Sequence, residues 1–320
     1  MKVVVGRTAM RLNEAIPEWE ERFPGYEFVE CNDRDSLAKV IGDADVIIGG
    51  VNRDLFLQAK QLKWIQASST GINNFMDIPE FVASDCLLTN VRGTHGGPLS
   101  ESVFAMIFAF NREIRSFIEE QKKHNWTMMT YRPRMRELRG ATMGILGFGG
   151  VGKTLARRAA AFDMELLVVD KYPGEKPEHV AELWGLEGLN EMLARSDYVV
   201  ITAPYTQEAH HMIDREELAL IKPDAMIVII SRGGIVSEKA LLEVLQEKRI
   251  RAAAIDVWEA DRLAPESPFW DLENCLVTPH AAGGSNLERD TILEIVEENL
   301  GRFIKGDLPL RNQIDKQLGF

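Results

Sequence analysis

Three segments of this chain each carry an apolar, β-rich run into a residue that can move protons or hold anions. MIVIISRGG (226–234) runs into Ser231 and Arg232, AAAIDVWEADRL (252–263) into Asp256 with Glu259 and Asp261 just beyond, and CLVTPHAAGG (275–284) into His280. Residues past the C-terminal ends of strands in an open α/β sheet line the ligand crevice. An arginine, an acid and a histidine gathered there suit reduction of a ketone. Arg232 would grip a substrate carboxylate bidentately. His280 would give a proton to the carbonyl oxygen as a hydride arrives. An acid beside the imidazole would hold its tautomer and favour its charged form. Each residue taken singly has a plainer reading: an arginine after a strand is usually a surface ion pair, and a lone histidine is usually structural.

A fourth segment names a hydride source. TMGILGFGGVGKTLARR (142–158) contains G-x-G-x-x-G at Gly147, Gly149 and Gly152, with a strand pattern leading in and a helix pattern leaving from Val151. The first glycine allows the tight turn, the second lets a pyrophosphate approach the backbone, and the third lets helix and strand pack closely, with the helix N-terminus facing the phosphates. Asp170 ends the next strand 23 residues after Gly147, near the spacing of about 20 expected for the acid that binds the adenosine ribose. A carboxylate there repels the extra phosphate of NADP, an argument that the adjacent Lys171 weakens. The same stretch also satisfies G-x-x-x-x-G-K-[ST] through Gly147, Gly152, Lys153 and Thr154. Asp170 and the redox-suited residues downstream favour a dinucleotide over a nucleoside triphosphate. His210–His211 resembles a metal pair but has no third ligand nearby, so it reads as a solvated loop; His95, His124 and His179 are isolated, and no metal site is expected.

The elements that must position these residues are legible as two alternating series. In the first hundred residues KVVV (2–5), YEFVE (26–30), DVIIG (45–49), LKWIQ (62–66) and CLLT (86–89) read as strands, separated by amphipathic stretches such as 13–22 and 35–41. From Pro98 to Lys122 the pattern predicts one long helix, apolar at its start, followed by an irregular Met- and Arg-rich segment, 125–139. A second series then supplies strands at 143–146, 165–169, 198–202, 226–230, 252–256 and 275–278, with helices over 153–162, 189–195, 216–221 and 237–247, and a last helix over 287–305. Strands alternating with helices imply parallel strands and crossover connections. Six strands so joined make a doubly wound sheet.

Composition narrows the class. The chain has 320 residues, 45% of them apolar, enough for about two domains with cores of their own. Thirty-seven basic against 49 acidic residues leave a net charge of −12, which disfavours a nucleic-acid partner. Cys31, Cys86 and Cys275 are widely separated, which fits neither a disulfide framework nor a zinc site and suits a reducing cytoplasm. The longest apolar run, 103–110, falls far short of the roughly 20 residues of a membrane span, and the first ten residues lack the apolar stretch and cleavage site of a signal peptide.

With these motifs in order, nearly the whole chain resembles the D-isomer-specific 2-hydroxyacid dehydrogenases, which act with NAD or NADP. The resemblance runs through LKWIQASSTGINNF (62–75), LSESVFAMIFAFNR (99–112), the glycine-rich loop, the segment 203–236, AAAIDVWEADRL, SPFWDLENCLVTPHAAGG (267–284) and the tail 298–315. It implies an α/β protein of two doubly wound parallel-sheet domains: a Rossmann cofactor domain (99–285) inserted into a flavodoxin-like substrate domain (1–98 and 286–320). It implies NAD as cofactor, with NADP possible. Contacts would come from Gly147, Gly149, Gly150, Val151, Gly152, Asp170, Pro204, Ile230, Ser231, Asp256 and Gly283. It implies Arg232 as substrate anchor, His280 as acid/base, and the backbone around Thr70 and Gly71 against the substrate carboxylate. It also implies a homodimer formed through the cofactor domain and the arm 111–139. One position departs from the family pattern D-V-F-x-x-E-P-L: here the acid position falls on Asp261, one methylene shorter, with Glu259 as an alternative partner for His280. The expected activity is reduction of a small 2-oxoacid with NADH. The alternatives are an NADP-dependent glyoxylate or hydroxypyruvate reductase, and an NADH-sensing corepressor on the same frame.

Overall fold

A computed structural model describes residues 1–127, 129–260 and 262–317. Contacts divide the chain into two units, one formed by Met1–Thr94 with Ser285–Phe320, the other by His95–Gly284. Each is built on one sheet whose strands all run parallel.

The first unit carries β1 (Lys2–Gly6), β2 (Glu27–Cys31), β3 (Val46–Ile48), β4 (Trp64–Gln66) and β5 (Leu87–Thr89) in the order β2-β1-β3-β4-β5. Side chains alternate along a strand, so Val3 and Val5 enter a layer with Trp19, Ile295 and Val296, while Val4 enters the opposite layer with Leu37, Ile41 and Leu55. Burial on both faces is why β1 and β3 read as apolar runs, while edge strand β2 alternates. The returning C-terminal segment is locked in by a buried polar network. The Asn299 amide donates to Gln66 Oε1 and to the Arg311 carbonyl, both at 3.0 Å, and Thr89 Oγ1 donates to the same Gln66 oxygen at 2.8 Å.

The second unit carries β6 (Thr142–Leu146), β7 (Glu165–Val169), β8 (Glu182–Trp184), β9 (Tyr198–Ile201), β10 (Met226–Ile229), β11 (Ala252–Ile255) and β12 (Cys275–Val277) in the order β12-β11-β10-β9-β6-β7-β8. Helices Gly96–Asn111 and Gly150–Ala160 cover one face with Met143, Ile145 and Val228. Helices Leu189–Arg195, Arg215–Leu220 and Glu238–Gln246 cover the other with Val199, Ile227 and Ile229. Strand order reverses between β6 and β9, and that reversal opens the crevice at the strands' C-terminal edge.

Two details differ from the sequence expectation. The helix expected over 98–122 is two helices, Gly96–Asn111 and Ile114–Lys122, broken where Glu113 turns left-handed at φ 54°. The break aims the Glu113 carboxylate at Arg134, whose Nε and terminal nitrogen donate to its two oxygens at 3.0 and 2.5 Å, while the Ser116 hydroxyl donates at 2.7 Å. The second sheet also has a seventh strand, β8, a partly exposed edge strand, ELW, without the apolar run of the buried strands. Among the described residues no helix is long and apolar enough to cross a membrane.

Candidate active site

Because every strand of the second sheet is parallel, the loops that follow β12, β11, β10, β9, β6 and β7 leave from one edge of six adjacent strands. In that order they carry His280, Asp256, Arg232, Pro204, the glycine-rich loop and Asp170. The sheet thus gathers residues that lie up to 133 positions apart in the chain, from Gly147 to His280.

The glycine-rich loop has the shape its glycines permit. Gly147 sits at φ 98°, and a Cβ there would lie 2.4 Å from the Ala203 amide nitrogen. The Thr202 hydroxyl closes the same contact by donating to the Gly147 carbonyl at 2.6 Å. A Cβ on Gly152 would meet that carbonyl at 2.2 Å, so the helix Gly150–Ala160 can start here only without one. At Gly149, the N-cap, a Cβ would meet nothing within 4 Å, and no side chain caps the helix. The first turn's N–H groups therefore face open space, the arrangement that holds a pyrophosphate. Val151 lies in that first turn. Lys153 and Thr154, which would serve a nucleoside triphosphate, are turned to other work. The Lys153 ammonium lies over the Phe148 ring and the Thr154 hydroxyl donates to the Gly150 carbonyl.

Asp170 ends β7 beside this loop, and both its oxygens are occupied. One accepts the Phe148 amide at 2.5 Å and the other the Tyr172 amide at 2.8 Å. The acid singled out for a ribose therefore also ties the glycine-rich loop to the neighbouring strand. Lys171 is ion-paired with Glu208 and lies over the Tyr172 ring, which neutralises the cation that weakened the argument for Asp170. Its pairing with Glu208 holds the Lys171 amine above its usual range.

At the end of β10, Ile230 is buried and the Ser231 hydroxyl is buried with no hydrogen-bond partner. Arg232 is exposed, and among the described residues its guanidinium bonds only to the Ser231 carbonyl, at 2.7 Å. Gly233 then passes so close to the β11 loop that a Cβ would lie 2.0 Å from the Trp258 carbonyl carbon. The arginine loop and the acid loop are thereby pressed together. Asp256 is 1% exposed, and its carboxylate accepts from the Thr278 hydroxyl and the Ala281 and Ala282 amides. His280, exposed and left-handed at φ 55°, stands in that turn. Gly283 follows, where a Cβ would approach the His95 ring to 3.1 Å.

No carboxylate among the described residues is hydrogen-bonded to His280, and the two acids expected beside it stand differently. Asp261 lies outside the described residues. Glu259 is committed elsewhere: its Oε1 pairs with His211 Nε2 at 2.9 Å and accepts the Glu238 amide at 3.2 Å, while Glu238 accepts the Glu259 amide. His211 lies in the partly exposed turn expected for His210–His211, is hydrogen-bonded through Nε2 to Glu259, and its ring stacks on His210 at 3.9 Å. Sequence reading misses the bond to Glu259 because the two residues lie 48 positions apart. Burial, and then the Glu259 charge, push the Glu238 carboxyl above the usual glutamate range. Among the described residues no cluster of three histidine, cysteine or acidic groups is set to hold a metal. Thr70 and Gly71 lie in the first unit, in the turn after β4, where the Thr70 carbonyl accepts the Asn90 amide at 2.9 Å.

The residues present fit a dinucleotide: an uncapped helix start over an open glycine, and an orphaned buried hydroxyl on Ser231. Comparison with known proteins agrees. Residues 104–282 match the family model of the NAD binding domain of D-isomer specific 2-hydroxyacid dehydrogenases. The chain is 32% identical over 282 residues to the D-3-phosphoglycerate dehydrogenase of Methanocaldococcus jannaschii, covering 86% of this chain but only 52% of that protein. It thus spans about half the length of that relative. It is 31% identical over 299 residues to the glyoxylate reductase of Korarchaeum cryptofilum, covering 91% of this chain and 87% of that one. Its structure matches that of the NADPH-dependent glyoxylate/hydroxypyruvate reductase of Sinorhizobium meliloti, solved in complex with NADP and sulfate. The TM-score is 0.83, with 27% identity and 100% of both chains covered.

Proposed function

This chain belongs to the D-isomer specific 2-hydroxyacid dehydrogenase family, and from that premise we propose that it reduces a small 2-oxoacid to the D-2-hydroxyacid with NADH as the preferred cofactor. The bound cofactor supplies the hydride. Arg232, free of any carboxylate among the described residues, grips the substrate carboxylate and steadies the carbonyl. His280 donates its proton to the carbonyl oxygen in reduction and takes it back in oxidation. Asp261 orients His280, since Glu259 is bound to His211. The observation that carries this reading is the common edge on which Arg232 and His280 follow strands β10 and β12 of the sheet whose β6 opens the glycine-rich loop.

The preference for NADH rests on Asp170, with Lys171 neutralised by Glu208. The second reading, an NADPH-dependent glyoxylate or hydroxypyruvate reductase, is favoured by the solved relative of that name. Glyoxylate, hydroxypyruvate, pyruvate, phenylpyruvate and oxaloacetate assayed with NADH and NADPH side by side separate the two. Cofactor affinity with negligible turnover of every acid would instead make the protein an NADH-sensing binder. The arm 111–139, which exposes Ile114, Ile118, Trp126 and Met129, supports a homodimer, because several bare apolar side chains on one segment suit contact with a second copy. Trp126→Ser should shift the sedimentation of a dimer toward the monomer. The three free, buried cysteines support a reducing, cytoplasmic setting.

A further inference from the structure

The Asp256 carboxylate has an unusual set of partners for a residue expected to touch the cofactor. Its Oδ1 accepts the Thr278 hydroxyl at 2.6 Å and the Ala281 amide at 3.0 Å, and its Oδ2 accepts the Ala282 amide at 3.1 Å. A carboxylate offers about four acceptor positions, so three are spent on the single turn that carries His280. The group is 1% exposed and has no cation partner among the described residues. Burying an unpaired charge is costly unless several donors converge on it, and here every donor belongs to residues 278–282.

The turn needs that clamp. His280 carries a Cβ yet sits at φ 55°, a conformation uncommon outside glycine. Thr278 behind it and Ala281 and Ala282 ahead of it are both held by the one carboxylate, so the backbone on either side of His280 cannot rotate back to an extended form. A second restraint comes from the helix Gly96–Asn111, whose Ser102 hydroxyl donates to the Ala282 carbonyl at 2.8 Å. Moving φ of His280 out of the left-handed region would swing its Cβ, and the imidazole with it, to another side of the turn.

We infer that Asp256 is a positioning residue: its buried carboxylate clamps residues 278–282 and so holds His280 in the left-handed backbone conformation that points the imidazole at the reacting carbonyl. This rests on the proposed acid/base role of His280. Asp256→Asn is the sharpest probe, because its amide nitrogen would present a donor to a backbone donor and only one oxygen would remain to accept.

The test reads the turn and the chemistry separately. Amide hydrogen exchange at Ala281 and Ala282 is measured by NMR, NADH affinity by fluorescence, and kcat at saturating NADH and 2-oxoacid. For Asp256→Asn the expected result is exchange at both amides faster by about a hundredfold, kcat lower by about a hundredfold and NADH affinity within about threefold of the parent. Thr278→Val removes one donor and should speed exchange by about tenfold, and Thr278→Ser should restore the protection. These two keep the test open if Asp256→Asn does not fold. Unchanged exchange at Ala281 and Ala282 in the variants would overturn the inference. So would weakened NADH binding with normal kcat at saturation, which would make Asp256 a cofactor ligand. If the parent protein turns over no 2-oxoacid, the dehydrogenase reading fails by itself, while the exchange data still decide whether Asp256 holds the turn.

Discussion

At the scale of single residues, the site depends on side chains whose hydrogen-bond capacity is almost fully committed. Asp170 is the clearest case. Its oxygens bind the Phe148 and Tyr172 amides, so Asp170→Ala removes the tie that shapes the glycine-rich loop and, on the proposed function, a charge repulsive to NADP. We expect NADH affinity to fall by about tenfold, the equivalent of roughly 1.4 kcal/mol or one to two hydrogen bonds. NADPH affinity should fall less, because lost repulsion offsets part of the lost order. Dissociation constants for both cofactors check this, and an unchanged NADH constant would show that the two amide bonds do not shape the cofactor site. Arg232 is the opposite case, since among the described residues its guanidinium is held only by the Ser231 carbonyl. Lysine cannot reproduce the planar fork, so Arg232→Lys should lower kcat/KM by at least about tenfold. Near-parental kinetics for that variant would remove Arg232 from the site.

At the scale of elements, the loops after β10 and β11 act as one body. Gly233 packs against the Trp258 backbone, and Glu238 and Glu259 exchange backbone amides across the start of the helix Glu238–Gln246, with His211 closing the cluster. The cluster carries a stability cost that titrates. Burial, then the neighbouring Glu259, hold the Glu238 carboxyl above its usual 4.5, so its folded-state pKa exceeds its unfolded one. Glu238 therefore contributes stability below about 4.5, and that contribution is lost as pH rises through the folded value. Glu238→Gln keeps an oxygen to accept the Glu259 amide and cannot ionise. Its Tm should therefore exceed the parent's at neutral pH, with the gap closing in acid. Thermal melts from pH 4 to pH 8, taken at steps of about one unit, test this, and a gap that widens in acid would reverse the assignment.

At the scale of the whole molecule, two parallel sheets bury their chemistry-bearing sulfur along with their apolar side chains. Cys31, Cys86 and Cys275 are free and buried. Burial pushes the Cys86 and Cys275 thiols up to about 12 and raises Cys31 as well, by desolvation first. With a pKa near 12, only about one thiol in ten thousand is thiolate at pH 8. The native protein should therefore fail to react with a thiol-specific chromogenic disulfide over minutes, and release three equivalents once unfolded. Fast labelling of any of the three in the native state would mean that its layer opens far more readily than the packing implies.

Much of this was legible before any fold was drawn. Strands buried on both faces are apolar through their interior positions, so β1, β7 and β10 declare themselves as KVVV, ELLVV and MIVII. The glycines at 147 and 152 are dictated by the close approaches of the turn, Gly149 leaves the helix start open, and the parallel order of strands implies that Arg232, Asp256 and His280 emerge at one edge. What stayed hidden has one physical cause: it depends on partners remote in the chain. The break at Glu113 exists for Arg134, the engagement of Glu259 for His211, and the silencing of Lys171 for Glu208. Edge strand β8 is too exposed to need an apolar run. The left-handed turn at His280, an angle that no residue type at that position announces, is held by a carboxylate 24 residues earlier. Residue type and spacing determined which groups reach the crevice; only the packed backbone decided which of them are already bound to something else, and so what each remains free to do.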